Sequence, residues 1–184
     1  MGARKSSDYG LYFQWGDTSG YTANQIGTGE GQKKFARDWS DYKWHLSGSI
    51  DENNLAFKKY TTTGATLELE DDAANANMGG DWHMPTRTQI KELTVNTTST
   101  WATQDGVNGR LFTSKKNSKS IFIPAAGLAW DGSVSNSGRY CHVWSSMLDT
   151  DMVFYGQYLK FNSRSVYLDR IYRSDGCSVR GVLG

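Results

Sequence analysis

Two cysteines, three histidines and a run of carboxylates are the side chains in this sequence that could do covalent or metal chemistry. Reactive cysteine pairs and thiolate metal sites use short spacings such as C-x-x-C. Cys141 and Cys177 stand far apart and read as two free thiols in surface positions, with mutual pairing as the alternative. His45, His83 and His142 have no H-x-x-x-H partner and no nearby C-x-x-C, so no zinc motif forms. Of these, His83 reads as structural, while His142 falls in a stretch suited to contact. Glu68, Glu70, Asp71 and Asp72 offer the hard oxygens calcium prefers. The same carboxylates also suit a helix N-terminus, where negative charge complements the dipole, and that reading is preferred. No catalytic residue, metal or cofactor is expected.

The remaining chemistry is recognition. From Gly138 to Val182, fixed-looking anchors alternate with an assortment of Tyr, His, Cys, Asp, Arg, Ser and Ile. The anchors are Trp144-Ser145-Ser146, Leu159-Lys160-Phe161 and Gly176-Cys177-Ser178-Val179-Arg180. A core cannot use such a mixture, because each buried polar group needs a partner. A surface can: Tyr140, Tyr155, Tyr167 and Tyr172 among Ser, Asp and Arg have the composition of a paratope.

Positioning those residues falls to a chain of 184 residues, sufficient for one domain with its own core. Twenty Lys and Arg against 19 acidic residues leave a net charge of +1, too little to attract nucleic acid or an anionic membrane surface. No apolar run reaches the length that crosses a bilayer, and the start, MGARKSSDYG, lacks a signal-peptide core, with truncation of a leader left open. Tyr9–Gly16 reads as a buried strand, Phe35–His45 as an irregular aromatic-pinned segment, and Ile50–Tyr60 as a loop or short strand. Glu70–Met78 reads as a helix closed by Gly79-Gly80. Thr86 with Gln89 forms a capping box opening a second helix to about Leu93. Turns are expected at Asp105-Gly106, Asn108-Gly109 and Asp131-Gly132, with a hairpin from Arg110–Ser114 and Ser120–Ile123. Strands follow at about 140–146, 154–161, 165–171 and 177–182. Trp15, Trp82, Trp101, Trp130 and Trp144 are assigned to the core. The class is α+β, helices first and an antiparallel sheet after.

Five motifs in order carry a family likeness: Gly10-Leu11-Tyr12-Phe13-Gln14-Trp15-Gly16, Gly80-Asp81-Trp82-His83-Met84-Pro85-Thr86, Ile121-Phe122-Ile123-Pro124-Ala125-Ala126-Gly127, Val143-Trp144-Ser145-Ser146 and Gly176-Cys177-Ser178-Val179-Arg180. Together they resemble the Fibrobacter succinogenes major paralogous domain of Bacteroidales surface proteins and their phages. The resemblance implies a C-type-lectin-like fold, two helices on short antiparallel sheets, and kinship with the formylglycine-generating enzyme. It also implies a variable protein of a diversity-generating retroelement, in which randomised template adenines diversify a C-terminal ligand face (about 132–182). The enzyme's close cysteine pair is absent, and so is the Glu-Pro-Asn or Gln-Pro-Asp motif of calcium-dependent sugar binding.

Randomising the adenines of an AAY codon gives only codons ending in a pyrimidine. These cannot encode Trp144, Met147, Met152, Gln157 or Lys160, which are assigned to the frame. Permitted outcomes, and hence the expected ligand face, are Tyr140, Cys141, His142, Leu148, Asp149, Asp151, Phe154, Tyr155, Arg164, Tyr167, Asp169, Ile171, Tyr172, Ser174, Asp175 and Cys177. The expected role is non-enzymatic recognition of a protein or glycan ligand at a cell surface or on a virion, with homo-oligomerisation open. A non-diversified adhesin module and an oxidase related to the formylglycine-generating enzyme are the alternatives.

Overall fold

The computed structural model of the chain describes residues 1–46 and 56–184. In chain order the elements are β1 (Tyr12–Phe13), a 3-10 turn at Ala23–Gln25, a second at Leu69–Asp71, α1 (Ala73–Met78), β2 (Trp82–His83) and α2 (Arg87–Asn96). There follow β3 (Thr97–Gln104), β4 (Val107–Ser114), β5 (Ser120–Pro124), β6 (Leu128–Trp130) and β7 (Ser133–Ser135). The chain closes with β8 (Cys141–Leu148), β9 (Tyr155–Phe161), β10 (Val166–Tyr172), β11 (Cys177–Ser178) and β12 (Val182–Leu183). The class is α+β.

Local signals set the helices. Asp72 caps α1, accepting from the N–H groups of Ala74 (2.8 Å) and Asn75 (3.0 Å), and Gly79 ends it at φ 71°. The expected helix start at Glu70 moves to Ala73, because residues 69–71 form the 3-10 turn. Thr86 and Gln89 make the reciprocal capping box of α2, which runs three residues beyond Leu93 to Asn96. Asp105-Gly106 and Asp131-Gly132 turn the β3–β4 and β6–β7 hairpins, all four residues at positive φ. Asn108-Gly109 is no turn. Both residues lie inside β4, where a Cβ on Gly109 would strike the Ile123 carbonyl oxygen of β5.

The main sheet has the order β1-β11-β8-β9-β10, with β3-β4-β5 as a separate three-stranded sheet. Two expectations are corrected. The sheet is mixed, since β11 lies parallel to β8 through Ser178 and Val143. Helices do not precede it as a block, because β1 enters it beside β11. The expected strand at Tyr9–Gly16 contracts to two ladder residues. Trp15 then donates its indole N–H to the Ser145 carbonyl (3.0 Å), while Trp144 donates to that of Phe13 (2.7 Å). These reciprocal bonds fasten the N-terminal segment onto β8 inside one cluster with Leu148, Tyr158, Cys177 and Val179. A second cluster joins Ile90 of α2 to Phe112, Cys141, Val143, Leu159 and Phe161. Trp15 and Trp144 are fully buried, whereas Trp82, Trp101 and Trp130 are only half-buried.

Phe35–His45 is irregular and pinned by Trp39 and Tyr42, which pack with Phe57 and Phe154. The loop or short strand expected at Ile50–Tyr60 falls largely outside the described residues; within it Phe57 bridges His45. Among the described residues no helix is long and apolar enough to cross a membrane.

Candidate functional site

The β8–β9 loop and the edge strand β10 form a cleft of about 250 Å³ with contributions from α2 and β9. Asp149 shapes the loop: its carboxylate accepts from the N–H groups of Asp151 and Met152, each at 3.1 Å. The same carboxylate binds the Arg170 guanidinium at 2.7 Å, and Asp151 does so at 3.3 Å. Arg170 also lies 5.4 Å from the Tyr155 ring centre, and hydrogen bonding to Asp149 raises its pKa. Arg87, the first residue of α2, and Gln157, cross-strand from Arg170, complete the polar lining. Gln157 Oε1 and Arg87 Nε are buried and have no partner among the described residues. Buried polar atoms are nearly always paired, so these two are suited to an incoming ligand. Only Leu168 is apolar among the residues lining the cleft, which favours hydrogen-bonded recognition over hydrophobic docking.

On the opposite face of the β9–β10 ribbon, Asp169 accepts from the Tyr158 hydroxyl (3.2 Å) and from Lys160 (3.3 Å). Lys160 lies 5.6 Å from the centre of the exposed Tyr167 ring. Burial works against the Lys160 charge, but Tyr167 and Asp169 outweigh it and raise the pKa. At the far end of the ribbon, Tyr140 and Arg164 line a second cleft with Trp101.

The sixteen residues expected on one face divide. Asp151, Arg164 and Tyr167 are exposed, and Tyr140, Tyr155, Asp169, Ile171 and Tyr172 are half-buried. The other eight are buried, and their placement on an open surface is corrected. Cys141 lies in the Phe112–Phe161 cluster and Leu148 in the Trp15–Trp144 cluster, and Cys177 joins Leu148 and Phe13 in the latter. Both thiols are free. Burial pushes the Cys141 pKa up to about 12 and that of Cys177 well above its usual value, keeping both protonated. His142 lies 5.2 Å from the Tyr158 ring with Nδ1 3.1 Å from the Gly127 carbonyl oxygen, and burial lowers its pKa to about 4. Phe154 packs with Trp39, Tyr42 and Phe57. Asp149 is buried as the organiser of its loop, although its edge reaches the cleft. Ser174 is buried, its carbonyl accepting from Gln14 Nε2 at 2.7 Å. Asp175 is buried too; burial raises its pKa to about 7, against the attraction of Arg37.

Arg173, assigned neither to the frame nor to the face by its sequence, is the most buried charge of the segment. Its guanidinium donates to the Tyr42 hydroxyl (2.7 Å) and to the carbonyls of Tyr60 (2.9 Å), Val153 (3.0 Å) and Lys59 (3.1 Å). It stacks 4.0 Å from the Phe57 ring centre, with Trp15 and Tyr42 alongside. Carbonyl dipoles and aromatic faces thus replace a carboxylate. Arg87 and Arg170 were also missed as cleft residues. Only the position of Arg87, immediately after an N-cap, signalled a fixed orientation.

The carboxylates weighed for calcium hold an ammonium instead. Lys59 Nζ lies 2.6 Å from Glu68, 3.0 Å from Glu70 and 2.6 Å from Asp71, while Asp72 is occupied in capping α1. No family model, no curated protein and no solved structure matches this chain.

Proposed function

We propose that this chain is a non-enzymatic recognition domain with a C-type-lectin-like fold, whose C-terminal β8–β10 region presents the contact surface. The observation that carries this reading is the cleft beside β10. Gln157 and Arg87, with unpartnered buried polar atoms, line it together with charged side chains of both signs, Asp149, Asp151 and Arg170. Ligand sites combine such fixed, convergent polar groups with concavity. Diversification by a retroelement rests on the family resemblance and on the codon pattern. Four of the five residues that AAY randomisation forbids are buried or half-buried: Trp144, Met147, Gln157 and Lys160. Met152 is exposed and marks the exception. An oxidase reading is disfavoured by the two thiols, which burial holds protonated and out of reach.

Sequencing the DNA around the gene tests the diversification. The expected result is a reverse-transcriptase gene and a template copy differing from this coding segment mainly at adenines, including the codons of Asp151, Arg164 and Tyr167. A locus without such a copy would leave a non-diversified adhesin module as the better reading.

A further inference from the structure

The second cleft, about 540 Å³, is built from three separate elements: Trp101 and Asn108 of the β3–β4 hairpin, Arg139 and Tyr140 ahead of β8, and Asn162 and Arg164 in the β9–β10 turn. Its charge is one-sided. Arg139 and Arg164 are exposed, and among the described residues neither forms an ion pair and no carboxylate lines the cleft. A third guanidinium stands behind the wall. Arg110 is cross-strand from Trp101, 7% exposed, and lacks an acidic partner among the described residues. It donates to Ser99 Oγ (3.0 Å) and, at 3.4 Å, to the carbonyl of Ser163, which lines the cleft; its Nε has no partner. Lys59 with its three carboxylates and Arg170 with its two show the contrasting, neutralised arrangement. An anion bound in the cleft would supply the counter-charge that these guanidiniums lack.

We infer that this cleft binds a hexuronate-type sugar, a pyranose bearing a carboxylate. The carboxylate matches the planar fork of the Arg139 and Arg164 guanidiniums. Trp101 and Tyr140 offer aromatic surface for the sugar ring. The Ser163 hydroxyl and the Asn162 amide nitrogen, which have no protein partner among the described residues, suit ring hydroxyls. An acidic peptide fits less well, because no aliphatic side chain lines the cleft to receive its apolar atoms. The walls are set in advance: Asn162 Oδ1 accepts from the N–H groups of Arg164 (2.7 Å) and Ser165 (2.9 Å), fixing the turn that carries Arg164.

This inference deepens the recognition reading by naming a ligand class for the Tyr140–Arg164 end of the segment, and it can fail without that reading. Calorimetric titration of the full chain with tetragalacturonate, its methyl ester and hexaglutamate tests it. Tetragalacturonate should bind, weakening with added salt, and each of R139Q and R164Q should weaken it about tenfold with the melting temperature unchanged. The methyl ester and hexaglutamate should bind at least about tenfold more weakly. No binding of tetragalacturonate, undiminished binding by R139Q/R164Q, or equal binding of hexaglutamate overturns the inference. Binding lost in D151S but kept in R139Q/R164Q would place the ligand at the β10 cleft, sinking the inference and sparing the recognition reading.

Discussion

The two ends of the β9–β10 ribbon use the same residue types for opposite purposes. At one end Tyr172 sits 5.0 Å from the Tyr155 ring centre and 5.6 Å from Trp39, with Phe154 beside both. At the other, Tyr167 is 41% exposed and lies under the Lys160 ammonium. An odd number of residues apart in β10, the two tyrosines point to opposite faces of the ribbon. On the Tyr172 face Trp39, Tyr42 and Phe57 cover that end, while Tyr167 stays open at the other. A mixed segment is therefore part core and part surface, divided by what the distant chain lays over it.

The comparison breaks most violently at Arg173, the post on which the covered end rests. R173M leaves three carbonyls and the Tyr42 hydroxyl without their donor, and should cost about 3–5 kcal/mol in urea unfolding. A loss under about 1 kcal/mol would show that the guanidinium does not hold the covered end. Next come the tyrosines. Y155A and Y172A should each cost about 2 kcal/mol through lost ring packing, whereas Y167A should stay within about 0.5 kcal/mol. Equal costs for Tyr172 and Tyr167 would erase the distinction between the ends.

What was legible in the sequence was local. The Thr86/Gln89 box, the Gly79 stop and the two Asp-Gly turns depend on neighbours in the chain, so adjacent residues sufficed to read them. Asn108-Gly109 misled because its glycine answers to a contact across the sheet, the Ile123 carbonyl. The strands of the terminal segment were readable, but the exposure of their side chains was not. β8 is a central strand covered on both faces, so Cys141 to Ser146 are buried without alternation. Their unbroken run of small and aromatic residues was the available signal. Arg173 left none, since arginine is ordinarily exposed and its pocket is assembled from residues 15, 42, 57 and 60.

Two smaller effects sharpen the contrast. Asp175 has its pKa raised to about 7 in the folded state, so its contribution to stability is full below about 3.8 and is lost as pH rises through 7. D175N should stabilise the protein by about 1 kcal/mol or more at pH 8 and make little difference at pH 4, read by thermal melts. His142 has the opposite sign: lowered to about 4, it contributes fully above 6.5 and loses that as pH falls towards 4. In D175N the opposing Asp175 slope is gone, and stability should decline from pH 6.5 to 4. Both thiols should ignore a thiol reagent in the native state and react as two equivalents on unfolding. A native-state reaction would return Cys141 or Cys177 to the surface.

The division of the terminal segment is tested most directly by randomising two sets of four positions and measuring melting temperatures of the soluble variants. One set is Tyr140, Asp151, Arg164 and Tyr167; the other is Cys141, His142, Ser174 and Cys177. The first library should remain folded, with most members within about 4 °C of the parent, and the second should yield few folded members. Equal tolerance in both libraries would contradict the account.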